Sequence, residues 1–342
     1  MNFQQIRNAT AIITYAGSRF LIDPLFAPKD YFDPIPECFT PDKRWPLVEL
    51  PMPEDEITRN LNAVIVTHSH IDHIDEFAAN ALPKAIKIFV QDEYDENFMR
   101  KLGFTDVEIL KETGTVFNGI TLYKTGCIHG KPDTTMPYYK KFGFRPDAMG
   151  VVFKAAGEKT VYLAGDTIWC DFVKNAVDKF APEIIIVNAA AAQLIHSGPI
   201  IMGTEDIAAL RSYAPNAAVI ATHMDAVGHA TLSRDGLHSF ITANKLDKDF
   251  YIPADGETLD WLYKHDMVSR YQDEDGYVDP YDGPDYIYQI NAGGRSELRR
   301  QQHFEETEER AKRAEIRAQN AEIRAGISLA VSIIAIIAAW LK

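Results

Sequence analysis

Short apolar runs rich in β-branched residues alternate with turn residues over the first half of the 342-residue chain. They include TAIITYAG, RFLIDPLF, NAVIVTH, AIKIFVQD, MGVVFKA and TVYLAGD, and each has the length of a strand. From about residue 171 onward, helical stretches alternate with further apolar strands such as EIIIVNA and AAVIATH. This alternation predicts a layered α/β protein whose strands are buried on one or both faces.

The pattern typical of a globular domain, residues 1–262, is followed by three segments of different composition. Residues 263–294 form an acidic, tyrosine-rich linker that ends in two glycines, which predict a hinge. Residues 295–325 contain no Pro or Gly and are rich in Glu, Arg and Ala, which predicts an exposed helical stalk. A weak seven-residue repeat in this stalk leaves a coiled coil open as an alternative.

The last segment, residues 326–342, is apolar enough to suggest a membrane helix. As a helix it would span about 25 Å, slightly less than a hydrocarbon core of ~30 Å. Trp340 and Lys342 suit the interface at one end, and basic residues cluster before the other end. We therefore predict a single-pass membrane tail anchor, with the N-terminal domain in the cytoplasm. The alternative is an apolar helix that packs in a homo-oligomer through residues 295–341.

Charge and cysteine content narrow the classes of function. The formal net charge is −14, which argues against nucleic-acid binding through a general basic field. The three cysteines, Cys38, Cys127 and Cys170, suit a reducing compartment better than a disulfide framework. The N-terminus lacks the features of a secretory signal, which agrees with a cytoplasmic main domain.

Four side chains of metal-ligand type follow one apolar strand within six residues. The strand ends at Thr67, and His68, His70, Asp72 and His73 come directly after it. In an extended exit from a strand, side chains two residues apart point the same way, so His68 and His70 can bind one ion. The chain then turns, which directs Asp72 and His73 to a neighbouring position. The segment therefore predicts a site for two metal ions.

The run from His68 to His73 matches the HxHxDH signature of the metallo-β-lactamase superfamily at every specified position. Further elements of the family pattern occur in the family's order, as Asp23 in FLIDP, His129 in KTGCIHG, Asp166 in YLAGDT and His223 in VIATHMDA. Residues 5–262 thus resemble this superfamily. Within it, the RNAT opening and the LIDP, AGDT, GPIIM and THMDA runs resemble the ascorbate-6-phosphate lactonase-like branch. The resemblance implies a four-layer αββα sandwich with the site at one edge.

The resemblance also implies a role for each matched residue. His68, His70 and His129 would hold one metal, Asp72, His73 and His223 the other, and Asp166 would be shared. Asp23 would orient a ligand histidine by accepting its other N–H. Cys127, two residues from His129, is expected to be a small buried residue, because the family's ligand at this step is the histidine. The nitrogen and oxygen ligands suit two divalent ions, zinc or manganese, with iron as a further candidate.

These residues predict a metal-dependent hydrolase in which a bridging hydroxide attacks a lactone or another ester. Asp72 or His229 would manage the proton of the leaving group. His196, Asp225 and His229 lie beside the family motifs and are candidate substrate contacts. One alternative is a phosphodiesterase that acts on a lipid or a nucleotide. Another is a non-catalytic, membrane-tethered scaffold or sensor.

Overall fold

The computed structural model of the protein describes residues 1–260, which lie within one compact unit. Among these residues no helix is both long and apolar enough to cross a bilayer. The predicted linker, stalk and tail anchor at residues 263–342 lie outside the described residues and stay predictions, as does the predicted contact between copies through residues 295–341.

The described part of the chain contains both strands and helices. The strands are β1 (Asn2–Arg7), β2 (Thr10–Tyr15), β3 (Ser18–Ile22), β4 (Ala63–Ile65), β5 (Lys87–Val90), β6 (Asp106–Ile109), β7 (Thr115–Phe117), β8 (Ile120–Gly126), β9 (Met149–Lys154), β10 (Val161–Leu163), β11 (Ile184–Asn188), β12 (Gln193–Leu194), β13 (Gly198–Pro199), β14 (Ala218–Thr222), β15 (Phe250–Tyr251) and β16 (Thr258–Asp260). The helices are α1 (Glu54–Ile57), α2 (Glu76–Ala81), α3 (Glu93–Lys101), α4 (Pro132–Phe142), α5 (Asp171–Phe180), α6 (Thr204–Tyr213) and α7 (Arg234–Ala243).

Two large sheets contain most of the strands, and β12 pairs with β13 in a small hairpin. The order in the first sheet is β16-β1-β2-β3-β4-β5-β6, and the order in the second is β15-β14-β11-β10-β9-β8-β7. Strands β3 to β6 are parallel to one another, as are β10, β11, β14 and β15. The carboxyl ends of parallel neighbours meet at one sheet edge, which is where a site can be built from several loops.

Alternate residues of each central strand face different layers, as the two-residue period of a strand requires. Ile65 of β4 and Ile186 of β11 belong to the core between the sheets. Val64 instead packs toward α1, α2 and α3, and Ile185 packs toward α5, α6 and α7. Each sheet is therefore covered by helices on its outer face. The predicted four-layer αββα sandwich is confirmed.

Candidate metal centre

The chain turns out of the sheets at several strand ends, and each turn presents polar side chains to the same edge. Asp23 follows β3, and the histidine-rich loop follows β4. His129 follows β8, Asp166 follows β10 and His223 follows β14. The structure thus brings together seven predicted ligand side chains that are up to 155 residues apart in the chain (223 − 68 = 155), namely His68, His70, Asp72, His73, His129, Asp166 and His223.

Three imidazoles form the first group of candidate ligands. His68 Nε2 lies 3.0 Å from His70 Nδ1, and His129 Nε2 lies 3.4 Å from the same His70 atom. The three ligand atoms all lie within 4.8 Å of one another. Nitrogens this close, each with a free lone pair, can bind a single divalent ion.

Asp72, His73 and His223 form the second group. His223 Nε2 lies 3.2 Å from His73 Nε2 and 3.3 Å from Asp72 Oδ2. Asp166 lies between the two groups, because its Oδ2 is 3.3 Å from His73 Nε2 and 3.6 Å from His129 Nε2. This carboxylate is placed to bind an ion in either group.

Hydrogen bonds on the outward side of the rings determine which nitrogen is free for a metal. His73 Nδ1 lies 3.0 Å from the Asp23 carboxylate, so its Nε2 faces the site. His129 donates from Nδ1 to the carbonyl of Ile200 over 2.9 Å, which also leaves Nε2 free. Neutral imidazoles held in one tautomer are the form in which histidine binds metals.

The same rule applies to His68 and His70. His70 donates from Nε2 to the Arg145 carbonyl over 2.8 Å, which leaves Nδ1 for an ion. His68 Nδ1 lies 3.2 Å from the Thr67 hydroxyl, which itself donates to Asp23. The exception is His223, whose Nδ1 is buried with no hydrogen-bond partner among the described residues.

Burial and charge act differently on the two groups. Burial lowers the pKa of His68, His70 and His129, so these imidazoles are neutral at pH 7 and ready to bind a cation. The pKa of His73 is raised instead, because the carboxylates around it, first Asp166, outweigh the effect of burial. Excess negative charge at this point is what a divalent ion would neutralise, so the residues fit a two-metal site.

Comparisons with known proteins agree with this arrangement. A model of the beta-lactamase superfamily domain matches residues 18–224, which is more than half of the chain. The chain belongs to the beta-lactamase superfamily. The UPF0173 protein YddR of Bacillus subtilis (strain 168) is 43% identical over 258 residues, which cover 75% of this chain and 99% of that protein.

Two solved structures are similar to this chain. A possible metal-dependent hydrolase from Veillonella parvula DSM 2008 is 42% identical, with a TM-score of 0.73, and the match covers 76% of this chain and 98% of that one. An isothiocyanate hydrolase from Delia radicum gut bacteria is 39% identical, with a TM-score of 0.72, and the match covers 76% and 99%. Each match therefore covers about three quarters of this chain.

A cavity of about 260 Å³ lies beside the ligand side chains of this superfamily site. His70, Asp72 and His229 line it on the side of the candidate metal ligands. The rest of the wall comes mainly from the loop between β3 and α1 and from the region of α4, and includes Phe32, Trp45, Tyr139, Phe142 and Phe144. The lining of this cavity is therefore mainly apolar.

The three candidate substrate contacts differ in their positions. His229 lines the cavity, its Nδ1 is buried without a partner among the described residues, and burial lowers its pKa to about 4. Asp225 instead pairs with Arg234 at 3.3 Å, and His196 is exposed. Neither of the last two lines the cavity, so their substrate roles stay predictions that this geometry does not support.

Several side chains that contact the site were absent from the predicted set. Asn188 donates to Asp166 Oδ1 over 2.5 Å, and Asn8 donates to the Asp72 carbonyl over 3.1 Å. Tyr139 donates from its hydroxyl to the His129 carbonyl over 2.7 Å. Asn8 lies in the RNAT run that supports the resemblance, and Asn188 follows the apolar run IIIV as Asp166 follows YLAG, so the sequence held a signal for both.

Cys127 is a poor candidate for a metal ligand beside the histidines. Its thiol donates to the Ala164 carbonyl at 3.2 Å, and burial raises the pKa of the thiol well above its usual value. A thiol with a raised pKa resists the deprotonation that metal binding requires. Cys127 also belongs to none of the ligand groups found among residues 1–260.

Proposed function

We propose that this protein is a metal-dependent hydrolase that uses two divalent ions to cleave a lactone or another ester. The observation that carries the proposal is the pair of three-residue donor groups on either side of Asp166. Membership of the superfamily and the similarity to a possible metal-dependent hydrolase support it. Zinc and manganese both suit the nitrogen and oxygen donors.

His68, His70 and His129 would hold one ion, and Asp72, His73 and His223 would hold the other, with Asp166 shared between them. Bound ions would supply a hydroxide nucleophile at neutral pH and stabilise negative charge on the attacked oxygen. The chain itself supplies the donors, their fixed orientation and a cavity with apolar walls that limits the entry of water.

Proton movement would fall to the side chains that face the cavity. Asp72 and His229 both line it, and the lowered pKa of His229 keeps its imidazole neutral at pH 7. Its lowered pKa also makes this imidazole a weak base, so it would relay a proton to the leaving oxygen rather than hold one. Asp72 is held ionised because His73, above all, lowers the pKa of its carboxyl. It would therefore serve first as a ligand.

Hydrolysis of an isothiocyanate is a second candidate. The observation that favours it is 39% identity to an isothiocyanate hydrolase over nearly the full length of that enzyme. Esters and isothiocyanates both present an uncharged electrophilic carbon to the nucleophile. The same donor groups would therefore serve either substrate, and the cavity wall would decide between them.

The test is metal content together with turnover. Purified protein loaded with zinc or manganese would be assayed against lactones, phenyl esters, isothiocyanates and bis(p-nitrophenyl) phosphate. His68→Ala and Asp166→Ala are expected to lose bound metal and turnover together. His238→Ala, which changes an exposed histidine of α7, should keep both. Full activity in either ligand variant would refute the assignment, and a wild-type protein that binds no metal would favour the scaffold alternative.

A further inference from the structure

The cavity beside Asp72 is lined mainly by aromatic and aliphatic side chains. Phe142 and Phe144 come from the end of α4 and the turn after it, and Trp45 comes from the loop before α1. Leu194 and Ile200 complete the wall near the β12–β13 hairpin. Surface of this kind stabilises a ligand by removing apolar area from water and offers few hydrogen bonds.

Cationic side chains are absent from the cavity wall of the described chain. Three basic residues close to the wall in sequence are each paired with an acid: Arg44 with Asp33, Lys141 with Glu37, and Arg145 with Asp92 at 2.7 Å. Lys140, which is adjacent to Tyr139, does not line the cavity. Binding sites for phosphate or carboxylate groups use unpaired arginine, lysine or backbone N–H groups. This wall therefore gives an anionic group no partner outside the metal site.

Two acids, Asp33 and Asp72, lie in the cavity wall instead. Asp33 is exposed and paired with Arg44, so the main cost to a negative group in this cavity is its lost hydration, which the apolar wall does not compensate. From the apolar wall and the lack of a cation we infer that the substrate is a small uncharged molecule with an apolar tail, which this cavity holds. This inference rests on the proposed hydrolase function, and it disfavours the phosphodiesterase alternative.

The wall is held in place by buried contacts from the first sheet. The fully buried Arg7 of β1 donates to the carbonyls of Leu25 and Ala27, over 2.8 Å each. Leu25 and Ala27 in turn pack with Trp45 and Val227 in a small core of their own. A preformed wall adds little ordering cost when a ligand binds, so the area that the tail buries appears largely as affinity.

The expected dependence on tail length follows from the transfer free energy of a methylene group. Each methylene moved from water into an apolar site improves binding about fourfold, until the cavity is filled. At about 260 Å³ the cavity is slightly smaller than most ligand pockets, so the gain should end at a short tail. A carboxylate at the end of the tail should lower affinity roughly tenfold or more relative to a methyl end.

The experiment compares two homologous series on the metal-loaded full chain. The first series is p-nitrophenyl esters from acetate to decanoate, together with esters of equal length that end in a carboxylate, and kcat/KM is measured for each. The second is alkyl hydroxamates of the same lengths, neutral metal chelators that need no turnover, and their Kd is measured by calorimetry. Both series should improve about fourfold per methylene and then level off or fall.

A matched pair of variants shows whether this cavity sets the limit. Phe142→Ala enlarges the cavity, so the best ester and the best hydroxamate should each become longer. Phe172→Ala removes a phenylalanine on α5 that lies outside the cavity wall, and it should leave both optima unchanged. Should Phe142→Ala not fold, the hydroxamate series on the wild-type protein still decides the question.

The outcomes separate this inference from the function on which it rests. If kcat/KM for the esters does not depend on tail length, or is higher for esters that end in a carboxylate, the inference is overturned but the hydrolase function is not. Hydroxamate affinity that rises with length while no ester is cleaved would support the cavity's role and count against ester hydrolysis. Hydroxamates that bind equally at all lengths, or fail to bind, would overturn the inference directly.

Discussion

Asparagine in place of Asp23 is expected to weaken metal binding while it leaves the fold intact. The Asp23 carboxylate accepts two hydrogen bonds, at Oδ1 from the Thr67 amide at 2.7 Å and at Oδ2 from the Thr67 hydroxyl at 2.8 Å. Its Oδ2 also lies 3.0 Å from His73 Nδ1. Asparagine keeps an oxygen for the amide but places an NH₂ group where Oδ2 was. The Thr67 hydroxyl can reverse its bond by rotation, whereas the imidazole must change its tautomer.

The change of tautomer is costly because of what surrounds the other nitrogen. His73 would have to accept the new N–H at Nδ1, and its proton would move to Nε2, the atom that faces Asp166 at 3.3 Å and the candidate metal position. A protonated Nε2 cannot bind a metal. Loss of such an orienting partner lowers metal affinity about 10- to 100-fold, or about 1.4–2.7 kcal/mol. This is close to the range for one hydrogen bond to a charged group, about 1.5–3 kcal/mol.

The assay is a competition titration with a chelator, together with the metal content after dialysis. Asp23→Asn should retain one ion firmly and release the second at a chelator concentration that leaves the wild type loaded. Asp106→Asn, which removes the same charge from an exposed position on β6, serves as the control. Wild-type affinity for both ions in Asp23→Asn would refute the proposed role of the carboxylate in orienting His73.

Two further predictions concern stability. Phe153→Ala should lower the free energy of unfolding, measured by urea denaturation, by about 3–5 kcal/mol. The reason is that this fully buried ring packs between the sheets, 5.5 Å from the Phe20 ring. A loss below about 1 kcal/mol would contradict the described core. In metal-free protein, burial lowers the pKa of His70 to about 4 from 6.5, so the unfolded chain takes up a proton that the folded chain does not. The contribution of neutral His70 to the free energy of unfolding is therefore present above pH 6.5 and is lost as the pH falls toward 4, by roughly 3 kcal/mol. Denaturation of the metal-free protein at several pH values would measure this loss. A His70→Gln variant with the same pH dependence as the wild type would contradict the prediction.

The layered fold was predictable from the apolar strands, and the convergence of the candidate ligands was predictable from the resemblance, whose motifs stand at strand ends. Apolar strands identify the sheets, and the residue types that bind metals stand directly after them, as in VIVTHSHIDH and VIATH. Strands that run in parallel end at a common edge, so side chains placed there come close whatever their separation in the sequence. Asp23 was identified through the resemblance, and its contact with His73 agrees with the orienting role that the resemblance implies.

The cavity wall was not predictable in this way. The loop that contributes Phe32 and Trp45 shows no hydrophobic periodicity in its sequence. Its position depends on hydrogen bonds from Arg7 to backbone carbonyls, and any sequence would supply such carbonyls. Helix α4 carries Pro137 in its interior, a residue that argues against a helix in a reading of the sequence. Asp225 and His196 show the converse problem, since proximity to a motif in sequence does not place a side chain in the cavity.

These two parts of the site answer different chemical demands. A metal ligand must be one of a few residue types at a fixed distance from the ion, so the ligand positions can be recognised as a motif in the sequence. An apolar wall needs only shape and the absence of charge, which many combinations of residues in the loops can supply. Substitutions at Phe142 or Trp45 could therefore change the substrate while His68 and Asp166 stay the same. The reaction type should accordingly be shared more widely among relatives than the substrate, and the identity of the wall residues is the better guide to the latter.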